Sequence, residues 1–165
     1  MNARDLLNQW QRGLHMFHKA HEQAATLFER RGRLLGSATV IVTTAVGTGI
    51  FADAPALVGD TAWKIGGGLL SLFAAVLSAL QGSLKYAELA AAHRRAARSI
   101  GPLRRETEQM LAESDAGESP KPEALTALRK KWAEIDQHAP TIPQPLWDRI
   151  AAGIPAPNAA AKSGG

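Results

Sequence analysis

The side chains best suited to chemistry in this chain are few. His15, His18 and His21 recur every third residue near the N-terminus, and His93 is followed by Arg94 and Arg95. A histidine triplet could ligate a transition metal, but a tight site needs ligands that converge tetrahedrally. On a helix this spacing drifts around the axis instead of stacking on one face, so no metal is expected. His93 with Arg94 and Arg95 reads as a solvated or headgroup-facing surface. Gly66-Gly67-Gly68 and Gly47-Thr48-Gly49 are not phosphate loops, because neither follows a strand. There is no nucleophile elbow, no paired-carboxylate site and no cysteine. Disulfides, thiolate metal sites and cysteine nucleophiles are thereby excluded. No enzyme and no cofactor is expected. The net charge of +4 is too modest to argue for nucleic acid.

The elements that would carry these residues are set by two stretches without a charged side chain, 34–52 and 65–84. Charged residues make up 21% of the chain, so two such runs back to back do not look accidental. As helices they would span roughly 28–30 Å each, the thickness of a bilayer's hydrocarbon core. The fold expected is all-α, a two-span transmembrane helical hairpin with helical cytoplasmic arms. A soluble bundle that buries both helices is the alternative, but a chain this short has little to cover them with. The first run starts too late and is too long for a cleaved signal peptide.

Arg30, Arg31 and Arg33 precede the first run, and Lys85, Arg94 and Arg95 follow the second. The loop 53–64 holds Asp53, Asp60 and a single base, Lys64. Basic flanks stay cytoplasmic, which puts both termini in the cytoplasm and the loop outside. Phe51 and Trp63 at the outer ends and Tyr86 at the inner end suit interfacial positions.

The second run places Gly67, Ser71, Ala75, Ala79 and Ser83 four residues apart, with a second small row at Ala74, Ser78 and Gly82. Such rows let helix backbones approach closely, which drives association in lipid. The first run contributes small residues such as Gly36 and the hydroxyls Ser37, Thr39, Thr43, Thr44 and Thr48. Two explanations stand. Either the rows pack within one hairpin and the hydroxyls bond back along their own helix, or copies assemble and polar side chains line a path. Ser37, Thr44, Thr48 and Gln81 are the candidate lining residues. Two helices cannot enclose a pore, so conduction would need several copies. Neither run holds an ionisable residue, which argues against a proton relay or a charged selectivity ring.

The arms are helical by periodicity. Residues 5–33 place Leu6, Trp10, Leu14, Phe17, Ala24, Leu27 and Phe28 near helical spacing, with no proline before the first run. Residues 85–113 continue the second run outward, with a kink or restart predicted at Gly101-Pro102. Residues 114–122 read as a loop. The closing segment 123–150 joins a short helix bearing Leu125, Leu128, Trp132 and Ile135 to an extended stretch through Pro140 and Pro143. A last turn with Leu146, Trp147 and Ile150 docks back. The arms should pack as a bundle or coiled stalk, with their Trp and Leu residues as its core. The whole is read as one unit over 1–154 with a disordered tail, 155–165.

This order of features resembles the SLATT family of two-span proteins. The resemblance is carried by the N-terminal helix with Trp10 and His18, the hairpin, and the helix Tyr86-Ala87-Glu88-Leu89-Ala90-Ala91-Ala92-His93-Arg94-Arg95-Ala96-Ala97. Leu103-Arg104-Arg105-Glu106, Ala139-Pro140-Thr141-Ile142-Pro143 and Trp147 complete it. It covers about residues 8–150. Gly101-Pro102 departs from the smooth helix the family suggests there. The resemblance implies an effector of bacterial conflict and antiviral systems in the inner membrane. It would oligomerise to form a pore or permeabilise the membrane when a companion senses infection. The companion implied is a sensor or nucleotide-signal protein. The competing function is a membrane anchor or scaffold that docks a cytoplasmic partner without forming a pore.

Overall fold

The computed structural model describes residues 2–47 and 59–153, and among them all regular structure is helical. The helices are α1 (Ala3–Gly47), α2 (Asp60–Leu84), α3 (Tyr86–Asp115), α4 (Pro122–His138) and α5 (Gln144–Ala152). Asn2 and Asp5 start α1 by capping each other. The Asp5 amide donates to Asn2 Oδ1 at 2.8 Å, and the Asn2 amide donates to the Asp5 carboxylate at 3.3 Å. The helix then runs without a break from the polar arm into the first apolar run, as its proline-free sequence predicts. Pro122 opens α4 at a position where its missing N–H is no loss. At the end of α3, Gly117 takes φ 93°, and the Glu118 amide reaches back to the Glu113 carbonyl at 3.0 Å. This left-handed turn is open to glycine without a Cβ clash.

Two sequence expectations are corrected in the second half. No break was predicted after Leu84, yet Lys85 sits in the left-handed region at φ 45° and ψ 37° and separates α2 from α3. For a residue with a Cβ this costs roughly 1–2 kcal/mol. Conversely, α3 continues through Pro102, where a kink or restart was predicted, without restarting. Proline forfeits one helical hydrogen bond. Its neighbours Ile100 and Leu103 are buried in the core, and that burial offsets the loss.

The chain folds as two compact units. One takes the chain up to Thr26 and from Leu89 onward; the other is Leu27–Glu88. The core of the first joins Leu7 and Leu14 of α1, Ile100, Leu103 and Met110 of α3, and Leu128 of α4. Trp10, Phe17, Leu125, Trp132 and Ile135 pack around it, so the tryptophans and leucines are core residues as their periodicity predicts. The last helix docks back: Leu146 and Ile150 are buried, and Trp147 meets Phe17 edge-on at 6.4 Å. Exposed ion pairs tie α3 to its neighbours, Arg4 with Asp115 at 2.5 Å and Lys131 with Glu106 at 2.8 Å. Such surface pairs contribute little stability.

Gly13 is where α1 admits the α4 side chain Trp132. A Cβ at Gly13 would stand 2.8 Å from the Trp132 ring. Gly13→Leu should therefore destabilise the first unit by about 1–3 kcal/mol despite the better helix propensity of leucine. A lower denaturant midpoint, followed by tryptophan fluorescence, is the expected result.

Candidate functional site

In the second unit, α1 meets α2 and the start of α3 through two glycines one turn apart. A Cβ at Gly32 would lie 3.2 Å from Tyr86 Cβ, and one at Gly36 would lie 3.7 Å from Gln81 Nε2. Phe28 and Tyr86 stack at the same level, centroids 6.1 Å apart and planes 25° from parallel. Together with Arg33, Gly32 and Gln81 they line an open groove of about 440 Å³. The structure thus gathers two predicted residues, Arg33 and Gln81, that sequence had assigned to different roles.

Few of the described side chains of this unit are covered: Thr39 on α1 and Ala74 and Leu77 on α2 are buried. Most of the large apolar side chains face outward. Leu34 is 75% exposed, Ile41 68% and Leu69 63%, and Leu72, Phe73, Val76 and Leu80 are exposed as well. In water that much uncovered apolar surface marks a face that meets lipid or protein.

The row predicted for close packing lies on this uncovered surface. Ser71, Ala75, Ala79 and Ser83 are exposed, and nothing approaches within 4 Å of a Cβ at Gly67. At 100° per residue this row is a different stripe from Ala74 and Leu77. Of the second small row, Ala74 is buried while Ser78 and Gly82 are exposed. On α1, the hydroxyl of Thr39 donates to the Leu35 carbonyl at 2.9 Å, and that of Thr43 donates to the Thr39 carbonyl at 2.8 Å. Back-bonding of this kind satisfies hydroxyls where no water is at hand. Ser37 and Thr44 are exposed. Thr48, Gly49, Phe51, the loop residues 53–58 and the tail 155–165 lie outside the described residues.

The basic flank residues Arg30, Arg31, Arg33 and Lys85 are exposed, as are Arg94 and Arg95 in the first unit. Lys85 pairs with Glu88 at 3.4 Å. His93 departs from the surface role predicted for it. It is fully buried, and its Nδ1 lies 2.8 Å from Nδ1 of the equally buried His21. Burial pushes both imidazoles below their ordinary value; for His21, at about 4, His93 and His18 add to the effect. His18 Nδ1 donates to the Ala97 carbonyl at 2.9 Å, and His15 is exposed. The helical register held the missed signal. His21 follows Leu14 by seven residues, and His93 precedes Ile100 by seven, so each shares a stripe with a core residue. Among the described residues no group of three or more ligating side chains could hold a metal.

One stretch of the described residues, Lys64–Asp115, contains a segment long and apolar enough to cross a membrane. The described part of the first run, 34–47, would span only about 21 Å. An all-helical chain with a packed polar unit and an uncovered apolar helix fits a helical membrane protein. The sequence model of the SMODS and SLOG-associating 2TM effector domain, family 4, matches residues 8–144. The chain belongs to this SLATT family of effector domains, which its description associates with SMODS and SLOG domains. No curated protein and no solved structure matches the chain.

Proposed function

We propose that this protein is the membrane effector of a bacterial conflict system, assembling into a pore or permeabilising oligomer in the inner membrane when a companion protein senses infection. The observation that carries this reading is the uncovered row Ser71, Ala75, Ala79 and Ser83, extended by Gly67. Small residues four apart let helices of separate copies approach closely, and the chain's own helices leave this stripe open. The runs 34–52 and 65–84 act as the two spans, with the loop 53–64 outside and both termini cytoplasmic. Arg30, Arg31, Arg33, Lys85, Arg94 and Arg95 favour that orientation. Ser37, Thr44, Thr48 and Gln81 supply the polar lining that an assembled path would need. Membership in an effector family associated with SMODS and SLOG domains supports a companion that triggers it.

The test is dye release from liposomes carrying the purified full chain, with oligomer size measured in detergent. The native chain should assemble and release dye. Ala75→Leu and Ala79→Leu should each lower oligomer size and release together, because leucine blocks the close approach. Stable oligomers that release nothing, with or without the protein encoded beside it, would establish the scaffold role instead.

A further inference from the structure

His21 of α1 and His93 of α3 are both fully buried in the first unit, with their Nδ1 atoms 2.8 Å apart. A hydrogen bond between two imidazole nitrogens needs one donor and one acceptor. One ring therefore donates through Nδ1 and the other, with its proton on Nε2, accepts; burial, which lowers both imidazoles, favours the neutral form of each. The surroundings are apolar where they are closest: the Phe17 ring stands edge-on to His21, centroids 4.7 Å apart. Nε2 of His21 is buried with no hydrogen-bond partner among the described residues. His21 lies shortly before Leu27 and His93 shortly after Glu88, where α1 and α3 pass into the second unit.

We propose that this pair is a proton-operated latch between α1 and α3. A proton taken from solution, on the donor ring's Nε2 or on the acceptor's Nδ1, leaves a positive charge in a buried site, and on the acceptor it also breaks the hydrogen bond. The charged ring gains by reaching water, so the two helices part at this level. The ionisable groups around the pair shape its response. On α1, His18 adds a like charge when it is itself protonated, and its Nε2 is 3.3 Å from Glu22 Oε1. Glu22 and, two turns beyond His21, Glu29 are the acids of this stretch. On α3, Arg94 and Arg95 follow His93 and add positive charge. From α5, Trp147 meets Phe17 edge-on, and it does not titrate.

The sign follows from the lowered values. The fold favours neutral rings, so their contribution is complete above the ordinary imidazole value of 6.5. It is lost as pH falls and is exhausted below about 4, where His21 protonates in the folded chain. The latch belongs to the first unit alone and does not depend on pore formation.

Amide hydrogen exchange on the full chain in lipid nanodiscs, corrected for intrinsic rates, tests this directly. Between pH 7.5 and 4.5, residues 18–25 and 90–97 should lose protection at least about tenfold more than α4 does. In the double variant His21→Phe with His93→Leu, both partners are replaced by apolar groups, and the excess loss should vanish. An equal loss in the double variant, or none in the native chain, would overturn the latch. Side-chain nitrogen NMR of the native chain reads the same pair without any variant. One Nδ1–H and one Nε2–H tautomer at pH 7, with His21 neutral at pH 5, is the expected result. Two rings that both titrate near 6.5 would exclude it.

Discussion

A chain carrying Phe73→Arg is expected to insert into membranes about 3 kcal/mol less favourably than the native chain, on the order of a hundredfold. Phe73 lies near the middle of the run 65–84 and is 53% exposed in the folded chain. If that exposed face meets lipid, arginine there must carry its charge into hydrocarbon or distort the bilayer to reach water. If the same face met water, replacing an exposed ring by arginine would change stability by no more than about 0.5 kcal/mol. The two environments thus predict different outcomes for one substitution. The measurement is the ratio of chain resisting carbonate extraction to chain released. An unchanged ratio would show that Phe73 does not face lipid. Phe73 also lies well around the helix from Ala75 and Ala79, so the effect is separable from the packing row.

Leu128→Ala is expected to destabilise the first unit by about 2–5 kcal/mol. Leu128 is fully buried and joins α4 to a cluster shared with Leu7, Leu14 and Ile100. It is the fully buried contact of α4; its other apolar residues, Leu125, Trp132 and Ile135, are only partly covered. Alanine leaves a cavity that α4 cannot close without shifting Trp132, whose ring already abuts Gly13. A domain has roughly 5–15 kcal/mol in total, so α4 should loosen well before the rest of the chain. A denaturant titration read by tryptophan fluorescence should show a lower midpoint with an unchanged slope. A shift below about 1 kcal/mol would show that α4 is not anchored through this residue.

Several features were legible in the sequence because their causes are local. The loop at 114–122 and the short helix after it follow from composition and periodicity alone. Helical periodicity placed Leu14, Leu128 and Trp132 in a core, and the proline-free stretch before Leu34 predicted a continuous α1. The uncharged runs were legible for the same reason: charge is a property of each residue, whatever it later touches. The candidate row Gly67, Ser71, Ala75, Ala79 and Ser83 was visible as spacing. That Ala74 alone among the two small rows would be covered was not, because both rows satisfy the same local rule.

What the tertiary structure decided was partnership between residues far apart in the chain. His21 and His93 are separated by most of α1, both apolar runs and the loop between them. Only the pairing of α1 with α3 joined His93, read as a surface residue, to His21 in one buried hydrogen bond. Lys85 adopts a left-handed backbone that its residue type disfavours, while Pro102 sits in a helix that its residue type opposes. The left-handed lysine costs roughly 1–2 kcal/mol and the helical proline about 3 kcal/mol; at Pro102 the burial of Ile100 and Leu103 works against that preference. The sequence alone determined an all-helical, twice-apolar chain with basic flanks, because charge and periodicity are written residue by residue. The tertiary structure decided which faces remain open and which groups are shut away from water, because burial is a property of pairs of surfaces and not of any one segment.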